Sequence, residues 1–103
     1  GFDEFTENMT DPVLAAALEK LTKPPSDYYK MFYAATALFG AAAGTRCGVD
    51  YFGPGKTLFG SDAPFGYGIP SVADTIRIVE ELDISEAERS DIFEGNARRL
   101  LRL

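Results

Sequence analysis

The sequence predicts an α/β protein of parallel βα units, and a piece of a larger sheet rather than a whole one. Three observations carry this. Helical and strand signals alternate in the order helix, strand, helix, strand, then helices, the pattern of parallel βα units. Both strand candidates, residues 31–36 and 56–60, read as buried on two faces, and two strands alone cannot supply such burial. The chain has 103 residues, while a closed eight-fold barrel takes about 250. The missing neighbours are expected from the rest of a larger protein or from another chain.

Each element has a local cause. Residues 1–11 are polar with scattered Phe2, Phe5 and Met9, and read as a leading loop. Asp11 before Pro12 starts a helix, with Asp as the cap and Pro at the first helical position. Val13, Leu14, Ala17, Leu18 and Leu21 then share one stripe. Pro24-Pro25 ends that helix near Thr22. Ser26 and Asp27 offer a cap to a short turn through Tyr28-Tyr29-Lys30. Met31 to Thr36 fits the first strand, although its length leaves a helix open. A helix comes next over 39–52, weakened by Gly44 and Gly48 at roughly 1 kcal/mol each relative to Ala. Gly53-Pro54-Gly55 is a turn, Lys56 to Gly60 the second strand, and residues 63–70 a loop. Ser71 can cap the next helix, whose inner face carries Val72, Ile76, Val79 and Leu82 with Ile78 beside them. Ser85 and Glu88 form a capping box. That helix runs to Gly95, and Asn96 caps a last short helix bearing Leu100, Leu101 and Leu103.

Composition excludes several function classes. Ten Lys+Arg against 16 Asp+Glu leave a net charge of −6. That balance argues against nucleic acid or an anionic membrane surface as the main partner. Nothing approaches the roughly 20 apolar residues of a membrane span, and the first residues lack the basic start of a signal peptide. A single cysteine, Cys47, excludes an internal disulfide framework, so a reducing, cytoplasmic setting is expected. The chain contains no histidine. No histidine base, triad or three-histidine zinc site can be built from it alone.

Four motifs have ordinary readings that outweigh the chemical ones. Gly53-Pro54-Gly55-Lys56-Thr57 ends like a phosphate-binding loop, but Asp50 stands where glycine is needed and the strand and helix are in reversed order. It reads as a helix-to-strand turn. Asn8-Met9-Thr10 matches a glycosylation sequon with no accompanying sign of secretion. Cys47 lies mid-helix and reads as a buried, inert thiol rather than a nucleophile. Tyr28, Tyr29, Phe32 and Tyr33 read as core packing rather than an aromatic pocket.

Asp62 stands apart. It directly follows the second strand, at the edge where functional groups of parallel α/β folds collect. A carboxylate there can bind a divalent cation or take a proton. The alternative is a turn in which Asp62 bonds its own backbone.

The segment Leu58-Phe59-Gly60-Ser61-Asp62-Ala63-Pro64-Phe65 resembles the strand-8 motif of the amidohydrolase-related family typified by aminocarboxymuconate-semialdehyde decarboxylase. Ile84-Ser85-Glu86-Ala87-Glu88-Arg89, followed by Ile92-Phe93-Glu94-Gly95-Asn96-Ala97-Arg98-Arg99-Leu100-Leu101, is similar to that family's C-terminus. Lys23-Pro24-Pro25-Ser26-Asp27-Tyr28-Tyr29 and Phe32-Tyr33-Ala34-Ala35-Thr36-Ala37-Leu38-Phe39-Gly40 resemble its seventh-strand region. The resemblance covers roughly residues 23–103. It makes 1–103 a single partial domain, with residues 1–22 as a leading loop and helix.

The resemblance implies the C-terminal part of a distorted TIM (β/α)₈ barrel, about strands 7 and 8 with the closing helices. It implies a divalent metal, usually zinc, at the barrel mouth. The activity implied is that of a hydrolase or decarboxylase acting on a small aromatic or unsaturated carboxylic acid through a metal-bound water. Asp62 takes the place of the family's strand-8 aspartate, a metal ligand and proton handler. Ser61, Ala63 and Phe65 would shape the pocket rim. The family's other ligands are histidines outside this chain, and many relatives carry an acid where this chain has Ala35. The expected partners are therefore the substrate, the N-terminal remainder of the barrel and a possible second copy. The piece alone is expected to bind no metal tightly and to be inactive. The competing expectation is a catalytically silent, acidic binding or scaffolding module.

Overall fold

Two short parallel strands lie side by side in the computed structural model of the chain, which describes residues 10–65 and 72–103. Strand β1 (Ala34–Ala35) pairs with β2 (Thr57–Leu58), Ala34 opposite Thr57 and Ala35 opposite Leu58. The order helix, strand, helix, strand, helices is the one expected. Of the expected leading loop over 1–11, residues 1–9 with the sequon's Asn8 fall outside the described residues, as does the expected Ser71 cap. The chain divides into two units, Gly1–Phe32 and Tyr33–Leu103. None of the described helices is long and apolar enough to cross a membrane.

In the first unit, helix α1 (Pro12–Glu19) starts as its sequence requires. The Asp11 carboxylate accepts the amides of Val13 at 2.9 Å and Leu14 at 3.1 Å. Helix α2 (Pro25–Tyr29) departs from expectation at its start. Pro24, not Ser26 or Asp27, stands at the cap, because Pro25 already holds the φ of a first helical residue. The Tyr28 hydroxyl accepts the Thr22 amide at 3.0 Å and lies 3.2 Å from the Thr22 hydroxyl. The Thr22 hydroxyl, then its amide, hold the Tyr28 phenol below its ordinary pKa. The Lys23 ammonium sits 5.3 Å from the centre of the Tyr28 ring. Contrary to the core expectation, Tyr29, Phe32 and Tyr33 are exposed. Leu18, Leu21, Pro25, Tyr28, Tyr29 and Phe32 instead line an open apolar hollow of about 390 Å³.

Both strands are shorter than the sequence predicts, for local reasons. Met31 and Phe32 donate their amides to Tyr28 and Tyr29 carbonyls, continuing the turn of α2. Lys56 belongs to a single 3₁₀ turn (Pro54–Lys56), its amide on the Gly53 carbonyl at 3.1 Å. Nor are the strands sealed on both faces: Thr57 is buried, Leu58 half-buried and Ala35 exposed.

Helix α3 (Ala42–Phe52) crosses between the strands. It begins three residues later than expected because Phe39 and Gly40 are left-handed, with φ of 50° and 83°. It ends at Gly53, whose φ of 88° suits a residue without a β-carbon. Thr45 and Val49 are its buried positions, so Cys47 is exposed rather than buried as expected. The 100° turn per residue places position 47 well away from 45 and 49.

Helix α4 (Val72–Glu80) buries Thr75, Ile78 and Val79, and Leu82 follows on the same stripe. The expected inner face runs through Val72 and Ile76, yet Val72 is exposed and Ile76 only half-buried. Thr75 takes the buried position instead, one helical turn before Ile78 and Val79. The core is Val49, Val79, Leu82 and Ile92, with Phe59, Ile84 and Phe93 packed against it. Each such aliphatic side chain stabilises the fold by about 1.5–3 kcal/mol.

The C-terminal segment is one continuous rod: α5 (Glu86–Ser90), a single wide π turn (Asp91–Gly95) and α6 (Asn96–Leu101). The capping box is formed as expected. Ser85's hydroxyl accepts the Glu88 amide at 3.1 Å, and Glu88 accepts the Ser85 amide at 3.0 Å. The rod ends where Arg102 turns left-handed at φ 58° and the Leu103 amide reaches the Arg98 carbonyl at 2.9 Å.

The capping box carries a pH signature. Hydrogen bonds first from the Ser85 backbone, then from its hydroxyl, lower the Glu88 pKa. A lowered carboxylate stabilises the fold above its unfolded pKa, and that support is lost as pH falls through the lowered folded value. In the Ser85→Ala variant, NMR titration should therefore find Glu88 moved up toward the ordinary range. The stability gap to the parent should narrow, but not vanish, as the medium is acidified below that range, because the bond from the Glu88 amide to the Ser85 hydroxyl is lost at every pH.

Candidate functional site

Strand β2 is held along its length, and this fixes the course of the chain beyond it. On one side the Thr36 amide bonds the Leu58 carbonyl at 3.1 Å, and the Thr36 hydroxyl bonds both polar atoms of Gly60. On the other side the Phe59 amide donates to the Ile92 carbonyl in the π turn at 2.9 Å. The side-chain amide of Asn96 donates to the carbonyls of Pro54 at 2.6 Å and Thr57 at 2.9 Å. Asn96 is fully buried and has helical angles, φ −65° and ψ −42°. It is thus not the cap the sequence predicts. A cap needs extended backbone at the end of a helix, and the π turn carries the helix straight through.

Beyond Gly60 the chain leaves the sheet. Ser61 is half-buried, while Asp62, Ala63 and Phe65 are exposed. Asp62 is left-handed, φ 58°. Its carbonyl accepts the Phe65 amide at 2.9 Å, and the Ser61 hydroxyl accepts the Ala63 amide at 3.3 Å. The turn is thus closed by the backbone and by Ser61. No hydrogen bond to the Asp62 carboxylate from the described residues is present, so the alternative in which Asp62 bonds its own backbone is not what forms. The four predicted site residues do fall together, in one turn at the C-terminal end of β2. Ala35 lies close by: a β-carbon built on Gly60 would stand 3.7 Å from Ala35 Cβ.

The donor chemistry fits one ligand position of a divalent-cation site and not a whole site. A carboxylate at a strand end that no described residue bonds is available to a cation. Among the described residues no three Asp, Glu or Cys side chains gather to hold one. The remaining donors would have to come from outside them.

Three residues that matter to this geometry are not singled out by sequence pattern: Thr36, Asn96 as a buried donor, and Arg89. Arg89 packs its guanidinium over the end of α4, on the carbonyls of Val79, Glu80, Leu82 and Ile84. For Asn96 a signal does exist, an amide side chain within a run that must bury one face. For Thr36 and Arg89, propensity and periodicity carry none.

The family model for amidohydrolases matches residues 4–103. The crystal structure of Metarhizium anisopliae IDCase in apo form is similar to this chain, with a TM-score of 0.75 and 22% identity. That similarity covers 98% of this chain and 29% of the IDCase chain. At such identity it speaks for the fold alone, and the fold is that of part of a TIM barrel. No match was found among curated proteins.

Proposed function

The chain belongs to the amidohydrolase family, and from that premise we propose that Asp62 is a ligand for a divalent cation, zinc, in an intact barrel. In this reading the chain supplies strands seven and eight with the closing helices, and the N-terminal remainder supplies the histidines. The barrel acts as a hydrolase or decarboxylase on a small aromatic or unsaturated carboxylic acid. A bound cation would supply Lewis acidity at the barrel mouth. This chain's part is to present a carboxylate to it, to hold or release a proton at an Asp62 oxygen, and to shape the rim with Ser61, Ala63 and Phe65.

One observation carries the reading. The Asp62 carboxylate is exposed, unclaimed by any described group, and set just past the C-terminal end of a parallel strand, the end at which barrel enzymes place their chemistry.

The test is Asp62→Asn in the intact protein. Asparagine tolerates the left-handed backbone, whereas alanine would add strain there. Zinc affinity should fall by more than the roughly 10–100-fold that changes behind a ligand produce, with thermal melting of the zinc-free protein unchanged. An Asp62→Asn variant that holds zinc as tightly as the parent sinks the proposal. A natively folded parent that holds no metal would favour the silent binding module instead.

A further inference from the structure

We propose that Thr36 is a positioning residue that aims Asp62, an inference that rests on the ligand role given to Asp62 above. The backbone ladder between the strands runs out at the Thr36 amide and the Leu58 carbonyl, 3.1 Å apart. Past that point the first strand's chain curls away. The Leu38 amide returns to the Thr36 carbonyl at 2.8 Å, and Phe39 and Gly40 are left-handed. Gly60 therefore faces no backbone partner on that side.

The Thr36 hydroxyl takes the place of one. It donates to the Gly60 carbonyl at 2.9 Å and accepts the Gly60 amide at 3.0 Å. Thr36 itself is 4% exposed, so water does not compete for these bonds. One hydroxyl thus adds a rung to the sheet and pins both peptide groups flanking Gly60 Cα, two residues before Asp62. The direction in which Ser61 and Asp62 leave the strand is set there. Valine at this position has the same shape and no hydroxyl, so it leaves both Gly60 groups without a partner.

The experiment measures zinc affinity by chelator competition, with thermal melting alongside, for the intact protein and its Thr36→Val, Thr36→Ser and Asp62→Asn variants. The expected result is zinc binding weakened about 10–100-fold in Thr36→Val with a cooperative melt retained. Thr36→Ser, which keeps the hydroxyl, should bind zinc as the parent does. A merely structural role would lower the melting temperature and leave affinity in place. Parent-like affinity in Thr36→Val, with zinc lost in Asp62→Asn, overturns the positioning role and leaves the ligand role standing. Parent-like affinity in Asp62→Asn overturns both. Weakened binding in Thr36→Ser also overturns the inference. If Thr36→Val does not fold, Thr36→Ala takes its place; failure of both to fold overturns it too, since the hydroxyl would then serve the fold and not the site.

Discussion

Replacing Asn96 with leucine should destabilise the protein by roughly 2–5 kcal/mol, although the two side chains are close in size. The loss comes from the carbonyls left behind. Asn96 is fully buried, and its amide nitrogen serves Pro54 and Thr57 at once. Each buried acceptor left without a donor costs about 1–3 kcal/mol. The Asn96 carbonyl oxygen is also engaged, by the Arg99 guanidinium, which bonds the Gly55 carbonyl as well at 3.1 Å. The amide is therefore the centre of a network joining the last helix to the 3₁₀ turn and the second strand. Asn96→Asp should cost at least as much, because it aims a carboxylate oxygen at two carbonyls. Urea denaturation of the intact protein reads the effect. A loss below about 1 kcal/mol for Asn96→Leu would mean that water reaches these carbonyls.

Arg89→Met should cost roughly 2–4 kcal/mol. The carbonyls ending a helix have no partner within it. In α4 the Arg89 guanidinium supplies one, donating to the carbonyls of Val79 at 2.6 Å and Glu80 at 2.7 Å. It also reaches those of Leu82 and Ile84, both at 3.3 Å. The side chain is 14% exposed, so solvent replaces these bonds poorly. Hydrogen bonds to a charged group contribute about 1.5–3 kcal/mol each when buried, less where water substitutes. Lysine should rescue little, because an ammonium cannot spread over four diverging acceptors. The ion pair of Arg89 with Glu86 is a useful contrast. Glu86 is 91% exposed, and such pairs are worth about 0–1 kcal/mol. Glu86→Gln should thus be nearly silent in the same denaturation experiment, and a large loss there would assign the effect to charge pairing.

Sequence patterns make the element order legible because its signals are short-range. Asp11 before Pro12, the pair Pro24-Pro25, Gly53-Pro54-Gly55 and the Ser85–Glu88 box each act within one turn of chain. Strand lengths are not legible, since whether Met31 or Lys56 extends depends on a turn already claiming its amide. Burial is legible only where periodicity is clean, as at Val79 and Leu82. It fails at Cys47, where the apolar letters of an alanine-rich helix mark no single face. It fails again at the aromatic residues 28–33, where bulk and apolarity suggest a core and several rings are exposed. Asp62 is legible as a candidate because its neighbours form a recognisable string. The side chains that hold the second strand are not, since Thr36 and Asn96 act across 24 and 39 positions of sequence.

The wide turn at Asp91–Gly95 governs the phase of everything after it. The Asn96 amide hydrogen reaches back five residues to the Asp91 carbonyl instead of four. Were the same residues wound as an ordinary helix, the tail would swing by about 100° and carry the buried amide off both acceptors. The wide turn takes up one extra residue and so keeps Asn96 in place. A one-residue deletion inside it, which lets an ordinary turn close onto the same Asp91 carbonyl, should therefore do less harm than a one-residue deletion in the ordinary helical turns beside it.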